Sequence, residues 1–152
     1  MWKTPASSAA IVFSALTLGA AAGLGGFTFI YAEGASYLTN APAACANCHV
    51  MREHYDAWVK SSHRSVAVCN DCHTPPGFFT KYAAKATNGY DHSLAFITGN
   101  FSDPIRIKVS NRTVAEANCR RCHEAVVDQM DTQSGTEPIA CLRCHNAVGH
   151  MP

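Results

Sequence analysis

Cys45-Ala46-Asn47-Cys48-His49-Val50-Met51 is the stretch whose reading decides the rest of the chain. Two cysteines three apart, with a histidine directly after the second, can attach a haem through two thioethers and offer its iron an imidazole. The pattern returns as Cys69-Asn70-Asp71-Cys72-His73, Cys119-Arg120-Arg121-Cys122-His123 and Cys141-Leu142-Arg143-Cys144-His145. These copies consume all eight cysteines of the 152-residue chain. Zinc sites and redox dithiols also use CxxC, and a disulfide framework also needs an even cysteine count. Neither gives a reason for a histidine after every pair, so the sequence points to four covalently bound haem c groups. Only the first copy has a methionine two residues beyond its histidine.

A 47% hydrophobic content and a formal charge of +1 would suit an ordinary small globular domain, but the apolar residues are not evenly spread. No charged residue lies between Thr4 and Ala32, and Ile11 to Ile30 is a nearly unbroken run of Ala, Leu, Val, Phe and Gly. At about 1.5 Å per helical residue that run is roughly 30 Å long, the thickness of a bilayer's hydrocarbon core. A secretory signal has an apolar region of only about 7–15 residues, so residues 1–32 read as a retained transmembrane anchor despite the small residues Ala20-Ala21-Ala22. Lys3 on the short side keeps that end cytoplasmic and exports the remainder, and Trp2, Tyr31 and Tyr37 suit interfacial belts. Gly19, Gly23, Gly25 and Gly26 would let a neighbouring helix approach.

Residues 33–152 then form the exported domain, with about 120 residues for four macrocycles and too little chain for an ordinary apolar core. The fold class is therefore mainly α with extensive irregular loops: one amino-terminal transmembrane helix, then a compact multihaem domain built around its haems. The motifs start at 45, 69, 119 and 141, which reads as two pairs separated by a longer insert. Arg52 to Lys60 reads as a helix, Pro75-Pro76-Gly77 breaks the chain, and Phe78 to Ala86 reads as a second helix, carrying Lys81 and Lys85 and ended by Asn88-Gly89. Val114 to Asn118 leads helically into the third motif, and Ser134-Gly135-Thr136 with Pro138 marks a loop before the fourth.

Four of the eight histidines belong to the motifs: His49, His73, His123 and His145. The others, His54, His63, His92 and His150, are candidate second axial ligands, because low-potential electron carriers favour two imidazoles per iron. For His54 the competing reading is a solvated helix face. Arg120, Arg121 and Arg143 inside the motifs are candidate partners for haem propionates.

A single amino-terminal anchor, four CxxCH motifs, CxxCHxM in the first, a Ser-x-His before the second and a Gly-His near the end resemble the small-subunit family of cytochrome c nitrite reductases, within the wider tetrahaem quinol dehydrogenases. The resemblance covers nearly the whole chain. It implies that Met51 rather than His49 binds the first iron, with the other face weakly held beside a menaquinol pocket at the membrane surface. It implies His63 on the fourth haem and His150 on the second, with His73, His123 and His145 as the motif ligands of their own irons. The lysine of the quinol pocket falls at Lys81. Where the family reads Ala-Arg-Asp, this chain reads Ala86-Thr87-Asn88, and asparagine cannot take a proton. Either Asp91 does that work from one turn later, or the acid is not the proton acceptor. The third haem is left to His92 or to a side chain from the partner.

The reading that follows is a menaquinol-oxidising electron donor in the bacterial cytoplasmic membrane, its haem domain periplasmic, in a hetero-oligomer with the pentahaem catalytic subunit of nitrite ammonification. Thioether coordination raises a haem's potential relative to two imidazoles, which suits a first acceptor of quinol electrons. A tethered carrier fed by another redox protein, or serving a different periplasmic reductase, would share every CxxCH motif without an open first haem. A reductase acting directly on nitrite would need Arg, Tyr and His gathered at one motif, and the sequence assembles no such group. No nucleic acid is expected among the partners. Amino-terminal sequencing of the purified protein is expected to begin at or near Met1, whereas a start near Gly23 or Glu33 would make the apolar run a cleaved signal.

Overall fold

The computed structural model describes residues 5–134 and 139–150. Trp2, Lys3, Gly135, Thr136, Pro138, Met151 and Pro152, used in the sequence reading, lie outside the described residues. The described chain is helical, with no strand: α1 (Pro5–Tyr31), α2 (Pro42–Cys45), α3 (Arg52–Lys60), α4 (Cys69–His73), α5 (Phe78–Thr98), α6 (Val109–Cys122), α7 (Glu124–Ser134) and α8 (Cys141–Cys144). Short 3-10 turns at Gly34–Leu38, His49–Met51 and Ser62–Ser65 link them. Two compact units result, Met1–Ser36 and Tyr37–Pro152.

In the first unit, Ser7–Tyr31 is 25 residues long with a hydropathy of 1.8 and none of its most apolar stretch buried, so α1 is long and apolar enough to cross a membrane. Within it Thr17 Oγ1 donates to the carbonyls of Phe13 and Ser14, satisfying that hydroxyl inside the helix as a lipid environment requires. The helix closes with the Ala32 N–H on Thr28 O, after which Glu33 turns the chain at φ 51°.

The second unit has almost no apolar interior. Among the described residues Ala115 is the one buried hydrophobic side chain, at 6% exposure, while Phe96, Ile97, Val126 and Met130 stand open. Apolar burial is worth about 25 cal/mol per Å², and in a haem protein that term is gained largely against the macrocycles and not between side chains. Polar clamps take up the positioning instead. Asn118, 4% exposed, donates its Nδ2 hydrogens to Cys72 O at 3.0 Å and Thr74 O at 2.9 Å, fixing α6 against α4. The second and third motifs are therefore neighbours, although the spacing in sequence suggested two separate pairs.

Helix α5 also departs from the sequence reading. It starts after Gly77 (φ 94°) and runs through Asn88-Gly89 to Thr98, where Gly99 (φ 67°) ends it and the Asn100 N–H caps Ala95 O. Asn-Gly fails to stop the helix because tertiary packing overrides a weak local signal. A Cβ at Gly89 would sit 3.4 Å from the Tyr37 ring, so the missing side chain lets that ring lie on the helix, and Asn88 Oδ1 accepts from Asn111 Nδ2 at 3.0 Å. Helix α7 carries none of the signals read in the sequence and is new.

Gly89→Leu gains helix propensity but drives a branched side chain into Tyr37. The expected outcome is a net loss of about 1–2 kcal/mol in thermal unfolding of the haem-loaded protein, and a raised Tm would show that the Tyr37 contact is slack.

Candidate functional site

Each motif sits where a short helix begins or ends. Cys45 ends α2, and His49 opens the 3-10 turn whose last residue, Met51, leads into α3 with its N–H on Cys48 O at 2.8 Å. The second motif is α4 itself, started by Asp71 Oδ2, which accepts the Val68 N–H at 2.9 Å. The third closes α6, with His123 following its last residue, and the fourth is α8 followed by His145. No disulfide joins any of the eight cysteines, and Cys45 and Cys69 lie within hydrogen-bond reach of each other. The first attachment sulfurs of motifs one and two are thus adjacent.

The histidines come together in two places. His150 lies 5.8 Å from the ring of His73, the second motif's histidine, and 5.0 Å from that of His54. His63 lies 6.2 Å from the ring of His123, the third motif's histidine. Two imidazoles on opposite faces of one metal, with nitrogens about 2.0–2.1 Å from it, have ring centres roughly 6 Å apart. Both pairs have that spacing. The other ring nitrogens are engaged as axial ligands require: His150 Nδ1 donates to His54 O at 3.1 Å, and His63 Nδ1 is 3.3 Å from Ser62 Oγ. Burial, with His150 and His54 alongside, holds His73 down at about 4, in the neutral form that coordinates. The loop bearing His63 is closed by the Trp58 indole N–H on Ala67 O at 3.1 Å.

The other candidates are placed differently. His49 meets Phe96 edge-on at 6.4 Å, and His92 stands on the exposed face of α5 with no described ring contact to a motif histidine. His145 is also exposed. Asp91 is ion-paired with Lys108 at 2.8 Å. Lys81 is half-buried one turn before Lys85. Arg120 is held by Asp131 at 2.6 Å and donates to Ile139 O at 2.5 Å.

Two features went unread in the sequence. His54 is half-buried, with its ring 5.0 Å from that of His150 and its carbonyl accepting from His150 Nδ1. Lys85, 8% exposed, donates Nζ to Thr39 O at 2.5 Å and Asn40 Oδ1 at 3.4 Å, and lies 5.5 Å from the Tyr82 ring centre. Asn70 of the second motif grips the same two acceptors, at 3.3 and 3.1 Å, and Tyr82 Oη donates to Leu38 O at 3.2 Å. Residues 38–40, which lead into the first motif, are thereby clamped from α4 and α5. Burial and the Lys81 ammonium lower the Lys85 pKa. The i, i+4 spacing of the two lysines was legible; which of them turns inward was not.

Comparison with known proteins bears on this arrangement. Residues 6–152 match the N-terminal region of the NapC/NirT cytochrome c family. The chain belongs to that family. The cytochrome c-type protein NrfH of Wolinella succinogenes is 34% identical over 92% of this chain and 86% of its own length. The cytochrome c nitrite reductase subunit NrfH of Nitratidesulfovibrio vulgaris is 30% identical over 70% of this chain and 65% of its own. A chain in a crystal structure of a cytochrome c nitrite reductase NrfHA complex bound to the inhibitor HQNO superposes with a TM-score of 0.65 at 28% identity, over 90% of both chains. With α1, this NapC/NirT member is a membrane-anchored cytochrome c carrying covalently bound haem. Its own residues fit that group: attachment cysteines at helix ends, imidazole pairs at axial spacing, and open apolar side chains in place of a core.

His150→Ala and His63→Ala are expected to leave every haem attached, since attachment needs only the cysteines. Each should alter one low-spin signal in electron paramagnetic resonance, that of the second haem for His150. For His63, combination with His123→Met or His145→Met shows which iron is affected: the ring geometry favours the third, the family resemblance the fourth. An unchanged spectrum removes that histidine from the ligands.

Proposed function

We propose that this chain oxidises menaquinol at the membrane surface and hands the electrons to the catalytic subunit of a cytochrome c nitrite reductase, as the smaller member of a hetero-oligomer in the bacterial cytoplasmic membrane, with residues 33–152 on the periplasmic side. The observation that carries the reading is the likeness along almost the whole chain to NrfH proteins and to a chain of an NrfHA complex. Four haems, on Cys45/Cys48, Cys69/Cys72, Cys119/Cys122 and Cys141/Cys144, would supply one-electron acceptance and relay.

The chain's own residues supply position and protons. Met51 is the axial ligand proposed for the first iron, on a turn that α3 continues. Lys81 offers its ammonium to a quinol oxygen, while Lys85 and Asn70 hold residues 38–40 so that the first motif stays at the end of a short tether from α1. Asn88 has no proton to exchange and is tied to Asn111. Asp91 is the remaining carboxylate on that side of α5, and its ion pair with Lys108 joins it to the segment before α6. The other irons would be held by His73 with His150, by His123 and His145 with His63 as a second histidine for one of them, and by His92 or a partner side chain at the site left over.

A weakly held opposite face at the Met51 site predicts one high-spin haem beside three low-spin ones. Met51→His should convert it to a low-spin, lower-potential site and slow menaquinol oxidation by at least tenfold, with little effect on reduction by a soluble donor. Normal quinol oxidation with an unchanged high-spin signal would make Met51 a packing residue, a role its flexible side chain also suits, and the protein a tethered carrier.

A further inference from the structure

Glu116 lies on α6 one turn before Cys119 and reaches the fourth motif. Its Oε2 accepts the Cys141 N–H at 2.9 Å and its Oε1 the Leu142 N–H at 2.8 Å, so one carboxylate takes both leading N–H groups of α8. These donors have no partner within so short a helix. Arg120, on the same helix, is engaged by Asp131 and Ile139 O.

We propose that Glu116 is a positioning and potential-setting residue for the third and fourth haems: its two hydrogen bonds fix the spacing between their attachment sites, and its negative charge between them favours the oxidised state of both irons. This rests on reading the two motifs as haem sites, and it does not depend on menaquinol being the donor. A half-buried charge is screened far less than an exposed one and acts on any nearby centre whose charge changes. Removing an electron leaves an iron more positive, so an adjacent carboxylate stabilises the product and lowers the potential. The same carboxylate satisfies two N–H groups that would otherwise leave the start of α8 free to shift, and the distance between the two sites with it.

The test uses the full-length, haem-loaded protein in detergent, titrated by spectroelectrochemistry against a soluble mediator. Glu116→Gln keeps the shape and one acceptor but removes the charge. Two of the four redox transitions should move upward, with the reduced-to-oxidised ratio of those haems at fixed potential rising at least threefold, and the other two should move less. Glu116→Asp keeps the charge at shorter reach. It should leave the potentials within twofold of the parent while amide hydrogen exchange at Cys141 and Leu142 quickens. Potentials unchanged in Glu116→Gln, or moved equally at all four haems, overturn the electrostatic role. Exchange unchanged in Glu116→Asp overturns the positioning role. If the Gln variant loses a haem by mass, Glu116→Asp carries both halves of the test, and potentials that shift threefold while its charge is retained then overturn the proposal. A parent protein carrying no haem at these cysteines would instead sink the reading of the motifs.

Discussion

The amide of Asn118 joins two segments that are far apart in sequence, and much of the second unit depends on it. A domain of this size ordinarily holds its elements together by apolar burial, yet here Ala115 is the one buried hydrophobic among the described residues. With the haems supplying the core that the family implies, the polar clamps set the segments that carry the attachment cysteines against one another. Asn118 does so economically: one side-chain nitrogen on the carbonyls of Cys72 and Thr74 sets α6 on α4 beside His73, and Thr74 Oγ1 in turn donates to Asn70 O at 2.7 Å. A buried amide left without those carbonyls would cost about 1–3 kcal/mol, so the register of the two motifs is enforced by penalty as well as by attraction.

The clamps share a position as well as a chemistry. Lys85 and Asn70 act immediately before the first motif, Asn118 immediately after the second and before the third, and Glu116 at the start of the fourth. None grips the middle of a long helix. Covalent attachment fixes a haem to its cysteines, but the orientation of one macrocycle to the next depends on backbone flanking those cysteines, which is where these hydrogen bonds fall. The imidazoles are handled in the same way: the His54 carbonyl and the Ser62 hydroxyl hold Nδ1 of His150 and His63, leaving ring direction to the backbone and not to crowding.

How much of this could be read from residues alone follows from the range of each interaction. The attachment motifs and the apolar run of α1 are signalled by fixed spacing and by composition, both local in sequence, and they gave the fold class and the family resemblance. His63 and His150 stood out as candidate ligands because so few histidines lie outside the motifs, and the structure sets their rings beside those of motif histidines. Helix α5 was cut short at Asn88-Gly89 because the contact that carries it onward, Tyr37 on Gly89, spans 52 residues and has no local signature. Lys85, Glu116 and Asn118 were missed for the same reason: their partners lie 25 to 46 residues away. The partner of His63 shows the limit from the other side, since resemblance assigns it to the fourth motif and the ring geometry sets it beside the third.

Taken in order, the clamps describe a sequence of neighbours. Motif one meets motif two through the thiols of Cys45 and Cys69, motif two meets motif three through Asn118, and motif three meets motif four through Glu116. The 50-residue step between the second and third motif starts does not break the series, because α5 leaves and returns while α4 and α6 stay packed. On the proposed function this has a mechanistic consequence. Electron transfer between centres falls steeply with distance, so haems attached at motifs that are neighbours in chain order would favour travel from the first motif to the fourth. The anchor precedes the first motif and the clamp at residues 38–40 keeps that motif on a short tether, so electrons from a lipid-soluble donor would enter at the start of the series. A partner would then collect them at the third and fourth sites, where the charge on Glu116 bears on the potentials from which they leave.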